Sequence, residues 1–285
     1  MDTNQPRDRR ARGRPRDWHD KTDQNTIKSL DRAMEVFERL SVLGGATLSE
    51  LAGDLKQSPA TVYRVLVTLE RRDLVDFDPT PQTWHIGPGA FQIGARFLRR
   101  TGLVERARPI LRSLMEDTGE TANLGIERDG NVVFLSQVET HSNIRAFFPP
   151  GTVAPMHSSG IGKAILAFLP EVSRKRILDE HWRERFTPHT LADRHALEAD
   201  LLRIRDRGFA IDAEERNLGM RCIAAPVIDQ LGEVVAGLSV SGPTSRIEDD
   251  AITELGQRVR AAADTLSAGL GAPADAIGTV QSGSA

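Results

Sequence analysis

The stretch TLSELAGDLKQSPATVYRVLVTLERR, residues 47–72, carries the signals of two short helices joined by a tight connection. Thr47 with Glu50 three residues later fits a capping box, and Ser58-Pro59 supplies an N-cap followed by a proline at the first helical position. Apolar residues recur at helical spacing after each start: Leu48, Leu51, Ala52 and Leu55, then Val62, Val65, Leu66 and Leu69. This order and spacing predict a helix-turn-helix.

The flanking residues extend this prediction to a winged helix-turn-helix over residues 26–87. Ahead of the pair, apolar residues at helical spacing predict a helix from about residue 26 to 43, ended by Gly44-Gly45. After the pair, residues 74–78 and 83–86 read as two short strands around a Pro-rich loop, which is the pattern of a wing.

The second helix of the pair would present its exposed face to base edges in the major groove of DNA. Ser58 at the cap can meet a phosphate, and Arg64 can meet a guanine or a phosphate. The alternative is a surface helix used for protein contacts. The residues expected to face outward, with Ser58, are Ala60, Thr61, Tyr63, Arg64, Val67 and Thr68.

Charge is distributed unevenly along the 285 residues, whose net charge is −3. Residues 1–100 contain 17 Lys and Arg against 14 Asp and Glu, whereas residues 101–285 contain 20 against 26. Residues 1–25 are predicted to form a flexible basic arm. Within it, Arg12, Arg14 and Arg16 surround a glycine and a proline, which favours either insertion into an A·T-rich minor groove or non-specific attraction to DNA.

Composition excludes several classes of protein. A hydrophobic content of 39% is enough for a buried core, and the apolar runs are too short to cross a bilayer. The N-terminus does not resemble a signal peptide, so we expect a cytoplasmic protein. A lone cysteine, Cys222, excludes a disulfide framework and a cysteine-based zinc site within one chain, and the scattered histidines predict no metal site. No cofactor is expected.

Hydrophobic periodicity beyond residue 87 predicts an α+β domain over residues 102–270, after a linker helix at 88–101 and before a disordered tail at 271–285. The predicted order is α-β-β-β-α-α-β-β-β-α, an antiparallel sheet covered by helices. The strands are expected at 122–128, 132–138, 144–148, 209–213, 222–229 and 234–241, and the helices at about 103–114, 158–168, 194–207 and 247–270.

Four segments in this half stand out: PMHSSGIGKA at 155–164, GFAIDAEE at 208–215, GMRCIAAPV at 219–227 and LSVSGP at 238–243. A helix start rich in glycine presents free N–H groups to an anion, and Ser239 and Ser241 share one face of a strand. Together with the winged helix-turn-helix, these segments resemble the isocitrate lyase regulator (IclR) family over residues 25–270. The resemblance implies a bacterial transcription regulator with a GAF-like effector domain, assembled as a dimer or a dimer of dimers.

Members of that family that sense glyoxylate or pyruvate use helix-start amides, an aspartate, a cysteine and strand serines. By resemblance, the corresponding residues here are Gly160, Ile161, Asp212, Cys222, Ser239 and Ser241. A ligand carboxylate would then lie on the first two amides and the serine hydroxyls, and the aspartate would accept hydrogen bonds from hydrated glyoxylate. The region 146–156 would form a lid, whose small Ala146 and Ala154 leave open a larger, aromatic acid.

Less specific interpretations compete with this one. Cys222 can be a small core residue, Asp212 can cap the following turn, and the two serines can be ordinary strand residues. An enzyme with a cysteine nucleophile is disfavoured because no catalytic signature surrounds Cys222. A DNA-binding dimer whose second half senses nothing is a further alternative. In either regulator, a dimer predicts a pseudo-palindromic operator in double-stranded DNA.

Overall fold

The computed structural model describes residues 26–180 and 184–274, except for the side chains of residues 97–101. The chain divides into two compact units, Met1–Arg96 and Phe97–Ala285. The predicted basic arm at 1–25, with Arg12, Arg14 and Arg16, lies outside the described residues, as does the predicted tail from residue 275 onward.

The first unit is a small helical domain with a three-stranded sheet, as the sequence predicts. It consists of α1 (Lys28–Leu43), β1 (Ala46–Thr47), α2 (Leu48–Asp54), α3 (Pro59–Glu70), β2 (Val75–Asp78) and β3 (Thr83–Ile86). The strands are antiparallel in the order β1-β3-β2. Strand β1, which sequence analysis missed, is only two residues long and has no periodicity to detect. The hydrophobic core of the first unit contains Val36, Leu40, Leu51, Val62, Leu66 and Trp84.

Helix α4 (Pro88–Thr101) follows the wing, at the position of the predicted linker helix. The second unit then contains one six-stranded antiparallel sheet with helices on both faces. Its elements are α5 (Leu103–Thr118), β4 (Thr121–Arg128), β5 (Asn131–Val138), β6 (Val153–Pro155), α6 (Gly160–Phe168), α7 (Glu171–Glu180), α8 (Arg194–Arg207), β7 (Ala210–Ala213), β8 (Met220–Ile228), β9 (Val234–Pro243) and α9 (Ile252–Gly269). The strand order is β6-β5-β4-β9-β8-β7. The predicted α+β class is confirmed.

Alternating side chains of the central strands pack into two different hydrophobic cores, one on each face of the sheet. Leu238 and Val240 of β9 pack with α5 and α9 on one face, together with Ile223 of β8. Ala224 of β8 belongs to the second core, formed with α6, α7 and α8. Because side chains alternate along a strand, Ser239 and Ser241 point to the α6 side of the sheet. The strand register therefore places the polar residues of β8 and β9 beneath the start of α6.

Three predictions of secondary structure in this unit are wrong. Residues 144–148 form no strand, because the edge of β5 pairs instead with Val153–Pro155, which is β6 and the third strand of the unit. Helix α7 was missed, because Ile177 and Leu178 are its only buried residues and it shows no apolar stripe. The last helix begins at Ile252 rather than at residue 247.

No helix in the described part of the chain is long and apolar enough to span a membrane. Within the same residues, no group of three or more His, Cys, Asp or Glu side chains is arranged to hold a metal ion.

Candidate functional site

The first candidate site is the exposed face of α3. The hydroxyl oxygen of Thr47 accepts a hydrogen bond from Glu50 N–H (3.3 Å), and the Glu50 carboxylate accepts from Thr47 N–H (2.8 Å), which is the predicted capping box of α2. Ser58 Oγ accepts from Thr61 N–H (3.2 Å) and begins α3, with proline at its first position. These local caps fix where α3 starts, and so which residues it presents outward.

The predicted contact residues of α3 share an exposed surface. Ser58, Ala60, Thr61, Tyr63, Arg64 and Thr68 are all exposed. Val67, which was expected to face outward, is half-buried and packs against the core of the unit. The Thr68 hydroxyl donates to Arg64 C=O (2.7 Å), so its proton is already used within the helix.

An aromatic contribution from the wing was not predicted. Phe77 of β2 is 41% exposed and packs on Trp84 of β3 with ring centres 4.9 Å apart. Phe77 and Tyr63 line one groove between α3 and the wing. A period-two pattern in a four-residue strand is too short to show which face stays open.

The second candidate site lies at the start of α6, in the second unit. Ser159 caps this helix by accepting a hydrogen bond from Gly162 N–H (3.3 Å). The helix start sits directly on the sheet: a Cβ added to Gly160 would lie 2.7 Å from Cys222 Sγ, and one added to Gly237 would lie 2.8 Å from Ile161 Cγ2. Glycine is therefore required at both contacts.

A small cavity, with a volume of about 30 Å³, opens beside this helix start. Its wall combines residues of strands β7, β8 and β9 and of the β7–β8 connection with residues around the start of α6 and others between positions 134 and 154. The lining residues are Phe134, Phe148, Ala154, Ser158, Ser159, Gly160, Asp212, Arg216, Asn217, Met220, Arg221, Cys222 and Ser241.

Four of the six expected effector residues meet at this cavity: Gly160, Asp212, Cys222 and Ser241. The register explains two of these positions, because Cys222 pairs with both Asp212 on β7 and Ser241 on β9.

The other two expected effector residues, Ile161 and Ser239, are fully buried and do not line the cavity. The Ile161 side chain packs on the sheet at Gly237, and Ser239 lies opposite Ala224. Their positions fit core packing beneath the cavity, and for Ser239 this agrees with the alternative of an ordinary strand residue.

Asp212 both lines the cavity and caps a turn. Its Oδ1 accepts a hydrogen bond from Glu215 N–H at 2.8 Å. Burial raises the pKa of Asp212 to about 6, and the nearby Lys163 charge opposes that rise. The carboxylate is therefore predominantly ionised at neutral pH, as an acceptor of hydrogen bonds must be.

Cys222 is a neutral thiol in this setting. Burial raises its pKa to about 11 and the Asp212 charge adds to the rise, while polar contacts with Ser241 and the Gly160 N–H oppose it. A thiol in this state is a poor nucleophile, since the thiolate is the reactive species. The Gly160 amide, expected to hold a ligand carboxylate, instead faces this sulfur.

A buried charge cluster around Lys163, behind Asp212, was not predicted from the sequence. Lys163 of α6 is 1% exposed. Its Nζ lies 2.8 Å from Asp200 Oδ2, 2.6 Å from Glu215 Oε1 and 2.6 Å from Ile211 C=O. Burial alone would lower the pKa of Lys163, but the charges of Glu215 and Asp200 outweigh it and raise that pKa. The only sequence signal was a lysine in the otherwise apolar and small run GIGKAILAF.

Sequence analysis also missed the aromatic wall. Phe134 of β5 and Phe148 stack with ring centres 4.9 Å apart and planes 9° from parallel. Both rings line the cavity, together with Ala154, whereas Ala146 is buried elsewhere. The apolar wall beside Ala154 is therefore formed by two phenylalanines.

Comparisons with known proteins agree with this architecture. The IclR helix-turn-helix domain family matches residues 29–79, and the family described as bacterial transcriptional regulator IclR C-terminal matches residues 95–268. HTH-type transcriptional regulator BhcR of Paracoccus denitrificans (strain Pd 1222) is 53% identical over 270 residues, covering 94% of this chain and 97% of that protein.

HTH-type transcriptional repressor AllR of Escherichia coli (strain K12) is 35% identical over 263 residues, covering 92% of this chain and 97% of its own length. The crystal structure of Thermotoga maritima IclR superposes with a TM-score of 0.72 at 29% identity, covering 86% of this chain and all of that one. The curated relatives are named as regulators of transcription and not as enzymes. The chain therefore belongs to the IclR family of DNA-binding bacterial transcriptional regulators.

Proposed function

We propose that this regulator senses a small carboxylate, glyoxylate or another small 2-oxo acid, and that the ligand sets its affinity for operator DNA. The observation that carries the proposal is the cavity at the start of α6, where Gly160, Asp212, Cys222 and Ser241 meet. A concave site with a few convergent polar groups is what a small ligand requires.

The size of the cavity supports a small acid over an aromatic one. A buried water needs about 10–15 Å³ of comparable space, so a volume of about 30 Å³ matches a two- or three-carbon ligand more closely than a benzene ring. An aromatic acid would have to displace the stacked Phe134 and Phe148 rings, which close one side of the wall.

The chemistry of the wall supports a hydrated aldehyde acid. Asp212 is a hydrogen-bond acceptor at neutral pH, and the two hydroxyls of hydrated glyoxylate are donors. Pyruvate is much less hydrated and suits an acceptor less well. The neutral Cys222 thiol and the Ser241 hydroxyl add weaker, uncharged contacts that do not repel an acid.

On the DNA side, we propose that Ser58, Ala60, Thr61, Tyr63, Arg64 and Thr68 of α3 contact the operator. Two copies in a dimer would place two such helices on successive major grooves of a pseudo-palindromic site, and a dimer of dimers would bind two such sites. The arm residues Arg12, Arg14 and Arg16 would add minor-groove or phosphate contacts. The ligand can change operator affinity only through unequal affinity for two arrangements of the protein, with α4 as the connecting element.

Paired variants test the two halves of this proposal. Arg64→Ala should weaken operator binding in gel-shift titrations and leave glyoxylate affinity in calorimetry unchanged, whereas Ser241→Ala should do the reverse. Arg128→Ala, an exposed arginine of the second unit, and Ser113→Ala, an exposed serine of α5, are the matched controls. A wild-type protein whose melting temperature ignores glyoxylate, pyruvate and benzoate alike would favour the non-sensing alternative.

A further inference from the structure

We propose that Arg216 binds the carboxylate of the effector, with Ser158 as a second donor, so that the ligand lies between Arg216 and Asp212. This inference rests on the proposed function, because it assigns the orientation and selectivity of the ligand in the same cavity. Neither residue belongs to the set that the family resemblance implies.

Arg216 stacks on an aromatic ring at the cavity wall. It lies in the connection between β7 and β8, and its guanidinium carbon is 3.7 Å from the centre of the Phe186 ring. A guanidinium over an aromatic face is stabilised by the ring's negative charge distribution. The side chain is therefore preorganised, and binding a ligand would cost little of its conformational entropy.

One nitrogen of this guanidinium is left without a partner. Nη1 of Arg216 is buried and makes no hydrogen bond within residues 26–180 and 184–274. The hydroxyl of Ser158, which is fully buried, is likewise unpaired within those residues, and both side chains line the cavity. Buried donors nearly always have partners, and charged donors most of all. Nε of Arg221, a third residue of the cavity wall, is also buried and unpaired within those residues. Unpaired donors that converge on one small cavity therefore mark the place of an anionic acceptor.

The other basic groups that the structure describes near the cavity already have carboxylate partners. Lys163 is neutralised by Asp200 and Glu215. Arg221 also lines the cavity, but its Nη2 lies 2.7 Å from Asp249 Oδ1 and its Nη1 donates to Ile247 C=O at 2.5 Å. Arg216 thus remains as the positive charge that a ligand can neutralise.

Two titratable side chains, His157 and Asp212, lie near the guanidinium. The His157 ring lies 6.1 Å from the Phe186 ring between centres, and burial lowers the pKa of His157, as does the Arg216 charge. Asp212 is attracted electrostatically to Arg216, but its Oδ1 is bound to Glu215 N–H. In the proposed orientation the ligand carboxylate lies on Arg216 and the other end of the ligand lies on Asp212, which keeps the two negative charges apart.

This arrangement selects the class of ligand. A monocarboxylate places its charge on Arg216 and its hydrated carbonyl on Asp212. A dicarboxylate would bring its second charge to the carboxylate of Asp212, where like charges repel. We therefore expect small 2-oxo monocarboxylates to bind and 2-oxo dicarboxylates of similar length to be rejected.

Calorimetry with two ligands tests the assignment: glyoxylate, and glyoxylamide, in which a neutral amide replaces the carboxylate. Arg216→Gln should weaken glyoxylate binding by roughly tenfold to a hundredfold, the usual range for a hydrogen bond to a charged group, and change glyoxylamide binding by much less. Arg216→Lys keeps the charge but loses the planar stack, and should fall between wild type and Gln. Arg203→Gln, an exposed arginine on α8, is the matched control and should bind both ligands as wild type does.

The outcomes separate the two proposals. If the wild type binds neither ligand nor pyruvate, the proposed sensing function is wrong. If the wild type binds glyoxylate and Arg216→Gln binds it equally well, the assignment of Arg216 alone is overturned. An equal loss for both ligands in Arg216→Gln, with Arg216→Lys no better, would also overturn it, because that pattern indicates a structural role.

Discussion

Replacement of Lys163 by methionine should destabilise the second unit strongly. Lys163 is 1% exposed and its ammonium contacts Asp200 and Glu215, whose side chains are 10% and 5% exposed. Methionine keeps the shape of the aliphatic chain but leaves the buried Glu215 carboxylate without its cation, and leaves Asp200 with only the longer contacts to Arg203 (3.4 Å) and Arg207 (3.8 Å). Removing one partner of a buried ion pair typically costs about 3–5 kcal/mol, which for a domain of this size lowers the melting temperature by roughly 6–20 °C.

The matched control is Arg194→Met, which removes a cation of similar length from α8. Arg194 also pairs with two carboxylates, Asp179 and Glu198, but all three side chains are 41–50% exposed. Exposed pairs of this kind are worth about 0–1 kcal/mol, because water solvates the charges left behind. Burial is thus the variable that differs between the two substitutions.

Urea unfolding followed by circular dichroism measures both variants. The double variant Lys163→Met/Glu215→Gln should recover part of the lost unfolding free energy, since it also removes the Glu215 charge that Lys163 neutralises in the wild type. A Lys163→Met protein within 1 kcal/mol of wild type, or one no less stable than Arg194→Met, would refute the reasoning.

Three further predictions concern a close contact, a pH dependence and a helix cap. Gly162→Ala should cost more than about 2 kcal/mol in urea unfolding, because the added Cβ would lie 2.2 Å from the Met156 carbonyl oxygen; Gly269→Ala, which meets nothing within 4 Å, should be neutral or stabilising by up to about 1 kcal/mol. Burial raises the folded-state pKa of Asp212 to about 6 from 3.8, so the folded protein holds the extra proton between these values. The stability that this proton contributes is therefore full below pH 3.8 and is lost as the pH rises through about 6. Asp212→Asn should flatten this part of the curve of unfolding free energy against pH. Parallel curves for the variant and the wild type would contradict the raised pKa of Asp212. Thr47→Ala should lower the stability of the first unit by about 1 kcal/mol in thermal melts through loss of the capping box, and an unchanged melt would count against a role for that cap.

Most of the fold follows from local signals in the sequence. The caps at Thr47 and Ser58 are read directly from neighbouring residues, so the helix-turn-helix and its exposed face are predictable. Asp212, Cys222 and Ser241 meet because adjacent strands bring them into register, and that register follows from where each apolar run begins and ends.

The parts of the site that the sequence does not predict lie mostly in segments without regular secondary structure. Arg216 lies in the β7–β8 connection and Phe148 in the segment before β6, where no periodicity sets the direction of a side chain. The partners of Lys163 lie 37 and 52 residues away along the chain, so the buried charge cluster has no local signature. Helix α7 was not predicted because it is regular but mostly polar, and a polar helix resembles a loop in its sequence.

Strand β7 is one of the two edge strands of the six-stranded sheet and spans only Ala210–Ala213. It is held by β8 on one side, and through Asp212 and the following turn it is tied to Lys163 on α6. Short edge segments open locally before a sheet centre does. A ligand seated on Asp212 would add a third restraint there, so hydrogen–deuterium exchange at the β7 amides should slow on binding while exchange in central β9 stays as it was.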